Sequence, residues 1–184
     1  GDSVGNKYIR GWRRHNVSQV DIGLTKIFGP STWLGWDQII TLFEAGYMHV
    51  NGMEPTSVLR YDGPATDLPG NAAIAAADHV PQQIGGYATA NSWGYNILAR
   101  FSYNNVLDVM NLQPTIRYAQ DVQGNSPKPI SDFVEGRKQV TLSMGMDFHS
   151  DWSAEVGYTN FFGGGKNNLI ADRDYVDAVL KYAF

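Results

Sequence analysis

The segment that decides the fold is the last one, Asp174-Tyr-Val-Asp-Ala-Val-Leu-Lys-Tyr-Ala-Phe184. Every second residue from Val176 to Phe184 is apolar or aromatic, and the residues between them are mixed in character. Because successive side chains of a β-strand point to opposite faces, this pattern predicts a strand with one apolar face. A strand of this kind that ends on an aromatic residue is typical of bacterial outer-membrane β-barrels. An amphipathic strand in a soluble β-sandwich is the alternative.

The composition fits a β-protein and excludes several other classes. The chain has 184 residues, enough for one sizeable domain, and is rich in Gly (20) and Tyr (10), which favour turns and strands. No apolar run approaches the roughly 18 residues that a membrane helix needs, whereas barrel strands alternate and need no such run. The net charge of −4 gives no basic footprint for nucleic acid, so no nucleic-acid partner is expected. The absence of Cys excludes disulfides and thiolate metal sites, and we expect neither a metal nor a cofactor.

Six earlier segments show the same alternation. The cleanest spans residues 92–105, where aromatic residues at both ends flank smaller apolar residues on one face. The second segment is ambiguous in phase, and Glu44 decides it: since a carboxylate on the lipid side is costly, we place Glu44 inside. The predicted strands before the closing one cover residues 17–28, 37–51, 92–105, 112–122, 137–148 and 152–159.

The lengths of the connections alternate along the chain. Short connections are predicted at Gly29, at 106–110 and at 149–151, and longer ones at 51–91, 123–136 and 161–173. Short periplasmic turns and long outer loops characterise outer-membrane barrels, whereas a soluble sandwich has no reason to sort its loops in this way. The sequence therefore predicts an all-β fold, an antiparallel transmembrane β-barrel. The long loop 51–91, with a short helix at 72–78, is then extracellular, and the C-terminus lies in the periplasm of a bacterial outer membrane.

The number of predicted strands indicates whether the chain forms a whole barrel or part of one. About seven strands are predicted, whereas a bacterial single-chain barrel normally has an even number with both termini in the periplasm. Residues 1–14 are too weakly patterned to supply the missing strand, and we interpret them as the solvated basic end of a loop. We therefore expect residues 1–184 to be the C-terminal portion of one larger barrel domain.

Three stretches carry a resemblance to a known family. They are residues 17–33, the Asp37-Gln-Ile-Ile segment and the closing segment 174–184. Together they resemble the C-terminal third of a family of large Gram-negative outer-membrane proteins that carries a domain of unknown function. The resemblance covers nearly the whole chain and implies a larger barrel, with genes often near efflux pumps or the catabolism of hydrophobic compounds. It implies no substrate and supplies no functional residues.

The inward face of the predicted barrel carries the charged residues. We expect Arg100 and Arg117 to lie near each other across the 106–110 connection, with Glu44 available between them. Such a group is either a charged constriction that selects solutes or a salt-bridge network that rigidifies a polar lumen, and both interpretations stay open. The predicted lumen or solute-contact residues are Asp21, Glu44, Arg100, Arg117, Asp121, Glu155 and Lys181, with Asp147 and Asp177 on the same face.

Aromatic residues mark the ends of the predicted strands, where outer-membrane barrels carry their aromatic girdles. The predicted membrane-anchoring aromatics are Trp33, Trp36, Trp93, Tyr95, Phe101, Tyr103, Trp152, Tyr158, Tyr182 and Phe184.

The function that follows is passive passage of a small, amphipathic or hydrophobic solute across the outer membrane. A structural or adhesive role of the long outer loop is the second possibility, and an outer-membrane hydrolase is the third. We predict that the protein is not an enzyme, because the consecutive residues His149-Ser150-Asp151 cannot converge as a catalytic triad does. The expected partners are outer-membrane lipid, lipopolysaccharide and, through the C-terminal strand, the barrel-assembly machinery.

Overall fold

The described residues form one antiparallel sheet of seven strands in chain order. The computed structural model describes residues 11–148 and 151–184, so most of the 149–151 connection and much of the segment 1–14 lie outside the described residues. The all-β prediction and the meander of about seven strands are confirmed. The strands are β1 (Val17–Phe28), β2 (Gln38–Val50), β3 (Asn91–Val106), β4 (Met110–Gln123), β5 (Arg137–Phe148), β6 (Trp152–Gly163) and β7 (Tyr175–Tyr182).

The strand bounds follow from local chemistry. β1 ends at Phe28 because Gly29 and Pro30 follow it, and proline has no N–H for the ladder. The largest difference from prediction is at β6, which runs on to Gly163 instead of ending near residue 159. Asn160 interrupts the apolar alternation there, yet it stays paired with Val140, because backbone hydrogen bonds do not depend on the side chain.

The connections alternate in length. β1 and β2 are joined by residues 29–37, which begin at the predicted turn signal Gly29-Pro30. Within this connection Gly35 N donates to Ser31 O and Ser31 N to Trp36 O, both at 2.9 Å. β3 and β4 are joined by the short segment 107–109, while 51–90, 124–136 and 164–174 form the long loops at the opposite end of the sheet. We call these two ends the turn end and the loop end.

The long loops are ordered and fold over one face of the sheet. The predicted short helix is confirmed as α1 (Ala72–Ala77), and Asn71 caps it by accepting from the N–H groups of Ala73 and Ile74. Under the loops, Met48 and Val50 at the end of β2 are almost fully buried, as is Ala88 within the first loop. No helix among the described residues has the length and apolar character to cross a membrane.

The sheet does not close on itself. β1 pairs only with β2, and β7 pairs only with β6, so each has one unpaired edge among the described residues. Every residue of these two strands is exposed. An edge strand of this length exposes a row of free N–H and C=O groups that further strands can pair with.

Candidate functional site

The sheet has one apolar face and one polar face, and the strand register aligns them across all seven strands. Residues directly opposite each other in neighbouring strands share a face. One row of such partners is Leu24, Phe43, Ile97, Tyr118, Val140 and Asn160, of which only the last is not apolar or aromatic. The next row, one residue along, is Gly23, Glu44, Asn96, Ala119, Gln139 and Phe161. The polar face is the candidate functional site.

All the charged residues predicted for the inward side share this polar face. Glu44 lies opposite Gly23 and Asn96, which fixes the phase of β2 that the sequence left ambiguous. The register gives the same face to Asp21, Arg100, Arg117, Asp121, Asp147, Glu155, Asp177 and Lys181.

Arg117 and Glu44 are joined through an amide instead of directly. Arg117 Nε donates to Asn96 Oδ1 at 3.0 Å, and Asn96 Nδ2 donates to Glu44 Oε2 at 3.2 Å. Glu44 was predicted to lie between the two arginines, but Asn96, which lies opposite Glu44 and joins it to Arg117, was not predicted. The position of Asn96, on the polar side of the best-patterned strand, was the available signal.

The two arginines are diagonal neighbours with different surroundings. Arg117 on β4 lies opposite Leu98 on β3, and Arg100 is two residues beyond Leu98 on β3. Diagonal positions of this kind are about 7–8 Å apart, which is within reach of long side chains, so the two guanidinium groups can add their fields. Among the described residues Arg100 forms no hydrogen bond or ion pair, so its charge is available to solvent or solute.

Asp121 holds a loop against the sheet. Its Oδ2 atom accepts from Arg137 Nε at 2.7 Å and from Val134 N at 3.0 Å, and its carbonyl accepts from Gly136 N at 2.8 Å. The ion pair is partly buried, so losing Arg137 would leave a poorly solvated carboxylate. Asp121 therefore clamps loop 124–136 to β4, a role that alternation alone does not reveal.

Loop 124–136 in turn carries Phe133 over the polar face. Phe133 N donates to Ser126 Oγ at 2.8 Å, and Ser126 N donates back to Phe133 O at 3.0 Å, with Ser126 fully buried. Phe133 was not predicted as a site residue, because it lies in a polar segment without periodicity. Between its ring and the sheet is an open cavity of about 460 Å³, lined by Asp21, Ile22, Gly23, Glu44, Ala45, Gly46, Gly94, Tyr95, Asn96, Ala119, Asp121 and Phe133.

Loops 51–90 and 124–136 are bonded to each other at the loop end. Lys128 forms an ion pair with Asp67, and its backbone N donates to Asp62 O at 2.9 Å. Thr89 N donates to Asn125 O at 3.0 Å. The two loops therefore form one unit that covers part of the polar face.

A second group ties loop 51–90 to the residues before β1. Arg13 pairs with Glu54, which also accepts from the Tyr61 hydroxyl, and His15 Nε2 lies 3.0 Å from that hydroxyl oxygen. The hydrogen bond from Tyr61 holds the pKa of Glu54 below its usual value, while burial and the same bond raise the pKa of Tyr61. Residues 1–14 were predicted to be a solvated basic loop end; the described residues 11–14 are exposed, and Arg13 also forms the ion pair with Glu54.

The remaining charges of the polar face lie on β5–β7. Asp147 accepts from Gln113 Nε2 at 3.0 Å. Lys181 lies opposite Ser153, and Glu155 lies opposite Gly145 and Val179, so these two side chains are diagonal neighbours. Within the described part of the chain, Glu155 and Lys181 form no ion pair.

Most of the predicted anchoring aromatics lie towards one end or the other of the strands, whereas Tyr158 lies near the middle of β6. At the turn end, Trp36 packs edge-on against Phe101 at 5.9 Å, and Trp152 packs against Tyr182 at 4.9 Å. Trp33 lies in the connection 29–37, Tyr103 lies opposite Leu112, and Phe184 follows β7 at the same end. Trp93, Tyr95 and Tyr158 lie in the half of their strands nearer the loop end.

Neither metal-binding nor hydrolytic groupings are visible in residues 11–148 and 151–184. No group of three or more His, Asp or Glu side chains there is placed to hold a metal ion. The hydrogen bonds of His15 and His49 go to Asn51, Tyr61 and Asn91, and none joins a histidine to a serine. His149 and Ser150 lie outside the described residues.

Comparison with known families gives one match. The sequence profile of the family described as "Protein of unknown function (DUF1302)" matches residues 1–184, the whole chain. The chain belongs to this family. The DUF1302 assignment agrees with the resemblance seen in residues 17–33 and in the closing segment, and with an all-β fold. No curated protein and no solved structure matches the chain.

Proposed function

We propose that this DUF1302 sheet is part of the wall of an outer-membrane β-barrel, and that the protein is a channel for passive passage of a small amphipathic or hydrophobic solute. The observation that carries the proposal is the continuous apolar face. Its large side chains lie open to the surroundings: Ile22, Leu24, Val176 and Leu180 are between 62% and 70% exposed. Water-soluble proteins rarely expose apolar patches beyond a few hundred Å², whereas a barrel wall turns such a face to lipid.

The stagger of the strands supports closure into a barrel. One row of partners starts at Lys26, close to the turn end of β1, and ends at Val176, close to the loop end of β7. Its intermediate members are Thr41, Ala99, Ile116, Leu142 and Tyr158. The row thus crosses the sheet from one end to the other, so the strands are tilted relative to the axis around which the sheet would close.

Two lysines lie at the two ends of the apolar face. Lys26 Nζ lies 5.8 Å from the ring of Phe28 at the turn end, and Lys138 Nζ lies 5.9 Å from the ring of Phe162 at the loop end. A lysine at a membrane boundary keeps its aliphatic stem on apolar surface and its ammonium group in the headgroup layer. This arrangement supports lipid phosphates and lipopolysaccharide as the neighbours of the two rims.

The orientation follows from the loops and the edges. Long loops face the outside in outer-membrane barrels, which supports an extracellular position for loop 51–90 and a periplasmic position for the end of β7. In lipid every backbone polar group needs a partner, so the free edges of β1 and β7 must pair with further strands of the barrel. The exposed edge of β7 is also the surface that we propose for the barrel-assembly machinery.

The channel proposal is tested by measuring ion preference in planar bilayers. Replacing both Arg100 and Arg117 by serine should shift the reversal potential of the full-length protein towards cations, because these side chains supply positive charge to a largely acidic wall. The matched control is the double replacement of Lys166 and Arg173 by serine, which removes the same charge from loop 164–174.

The outcomes show whether Arg100 and Arg117 line the path of the ions or have a structural role alone. A shift in the Arg100/Arg117 variant that exceeds the shift in the loop control supports a lumen lined by these arginines. An unchanged reversal potential, with the barrel folded, would show that the arginines do not face the path of the ions. An inserted protein that conducts no ions at all would contradict the channel.

One observation favours a second function, attachment through the long loop. Loop 51–90 exposes Val58 and Ile84, at 73% and 87%, beside a groove of about 770 Å³ that also contains Arg60 and Tyr87. Exposed apolar side chains on an ordered loop are a feature of binding surfaces. Absence of conductance, together with intact insertion, would favour this function over the channel.

A further inference from the structure

Unlike the rest of the polar face, the cavity beneath Phe133 is bounded by the sheet on one side and by the Phe133 ring on the other. Its floor consists of the small residues Gly23, Gly46, Gly94 and Ala119. A Cβ atom added at Gly46 would lie 2.9 Å from Asp21 Oδ1 and 3.5 Å from Phe133 Cζ. The absence of a side chain at Gly46 therefore keeps the space between this carboxylate and this ring open.

The cavity has a suitable size for a small solute, and the loop that bounds it is held in place. Its volume of about 460 Å³ is within the range of small-molecule sites. Phe133 is fixed by its two hydrogen bonds with buried Ser126, and loop 124–136 is clamped by the pair of Asp121 and Arg137. A loop backbone held in this way needs little ordering when a solute binds.

The charges around the cavity are unbalanced. Asp121 is neutralised by Arg137, but Asp21 accepts only from the Gln19 amide, at 3.0 and 3.3 Å, and Glu44 only from Asn96. Among the described residues neither Asp21 nor Glu44 has an ion-pair partner. In the described part of the chain, the cavity therefore holds two carboxylates without a directly paired cation, since Arg117 reaches Glu44 only through the amide of Asn96.

The carboxylates and the phenylalanine ring together favour one class of ligand. Carboxylates attract cations and repel anions, and the face of a phenylalanine ring attracts an ammonium group. Three carboxylate or imidazole groups do not converge here to hold a metal ion, as judged from the described residues. We infer that the cavity is a subsite for organic cations, solutes with an amine or quaternary ammonium group on an apolar body; as a statement about transported solutes this rests on the channel function proposed above.

The test is equilibrium binding of a fluorinated amine to the full-length protein in nonionic detergent. 4-Fluorobenzylamine is compared with 4-fluorobenzyl alcohol, its neutral counterpart of nearly the same shape, by ¹⁹F NMR titration. We expect saturable binding of the amine and only linear detergent partitioning of the alcohol. Replacing Asp21 by Asn and Glu44 by Gln should weaken amine binding by about tenfold or more, because each step of 1.4 kcal/mol in attraction is tenfold in affinity.

Two further variants keep the result interpretable. Asp172→Asn removes a carboxylate from loop 164–174, outside the cavity, and should leave amine binding unchanged. Phe133→Leu removes the ring while keeping apolar bulk, and should weaken binding of the amine more than it alters partitioning of the alcohol. Should the double acid variant fail to fold, Phe133→Leu and the single Glu44→Gln carry the test.

Failure of the subsite and failure of the channel give different results. Equal behaviour of amine and alcohol, or amine binding unaffected by loss of both carboxylates or of the ring, would overturn the subsite even in a protein that conducts. Saturable amine binding in a protein that does not conduct would uphold the subsite and overturn the channel. In a conducting protein, we expect 4-fluorobenzylamine to reduce the current in wild type and not in the double acid variant.

Discussion

Replacing Ala99 by arginine is expected to lower the free energy of unfolding from lipid vesicles by about 2–4 kcal/mol, the depth-dependent cost of an arginine near the middle of a barrel's lipid face. Ala99 lies on the apolar face between Thr41 and Ile116, in the middle of β3. An arginine there has apolar neighbours along its own strand face, Ile97 and Phe101, and must bend towards the headgroups to keep its charge hydrated. The measurement is reversible urea unfolding in vesicles.

The matched control for Ala99→Arg is an arginine introduced on the polar face. Ser143 is a small residue in the middle of β5 and sits on the polar face, opposite Thr115 and Gly157. Ser143→Arg adds the same side chain to the wetter side of the same sheet, so its cost should be clearly smaller. Equal costs for the two variants, or a silent Ala99→Arg, would show that the assigned faces are wrong.

Deleting Phe184, or replacing it by aspartate, is expected to leave little folded protein in the outer membrane. Phe184 extends a row of aromatic side chains at the turn end: its ring centre lies 6.5 Å from that of Tyr182, which packs 4.9 Å from Trp152. Nothing among the described residues covers Phe184, which is fully exposed. Transfer of such a ring from water to an apolar environment is worth about 1.5–3 kcal/mol, and an aspartate replaces that gain with a desolvation cost.

The loss expected for the Phe184 variants includes assembly as well as stability. Under the proposed insertion through β7, protein that is not inserted should be degraded in the periplasm. The readout is the amount of heat-modifiable barrel in outer-membrane fractions, and Ala183→Asp, on the mixed face of the same segment, is the control. Normal amounts of barrel in the Phe184 variants would refute this role of the terminal ring.

Strand phases were predictable from the sequence because they depend on a short-range rule. Alternation assigns each residue of 92–105 or 137–148 to a face without knowledge of any other strand, and the register then brings like faces together. Where alternation fails the prediction fails with it, as at Asn160, where β6 continues past a polar residue on the apolar face.

The candidate site was only partly predictable, because its remaining parts depend on contacts between distant segments. The ion pairs of Arg13 with Glu54 and of Lys128 with Asp67 join segments that no periodicity links. Phe133 reaches the polar face only because Asp121 clamps its loop, and the amide relay through Asn96 depends on the register of β2 against β3. Local patterns determine which face a residue occupies, whereas loop packing determines which residues of that face enclose a cavity.

The measurement that tests the central claim most directly is a nitroxide scan of residues 140–146 of β5 in lipid vesicles. The account predicts that oxygen, which concentrates in lipid, collides most often with labels at Val140, Leu142, Met144 and Met146. A water-soluble nickel chelate should instead collide most with labels at Thr141, Ser143 and Gly145, on the polar face. Equal access of the chelate to all seven positions, or an inverted alternation, would contradict the claim that the apolar face of this sheet is turned to lipid.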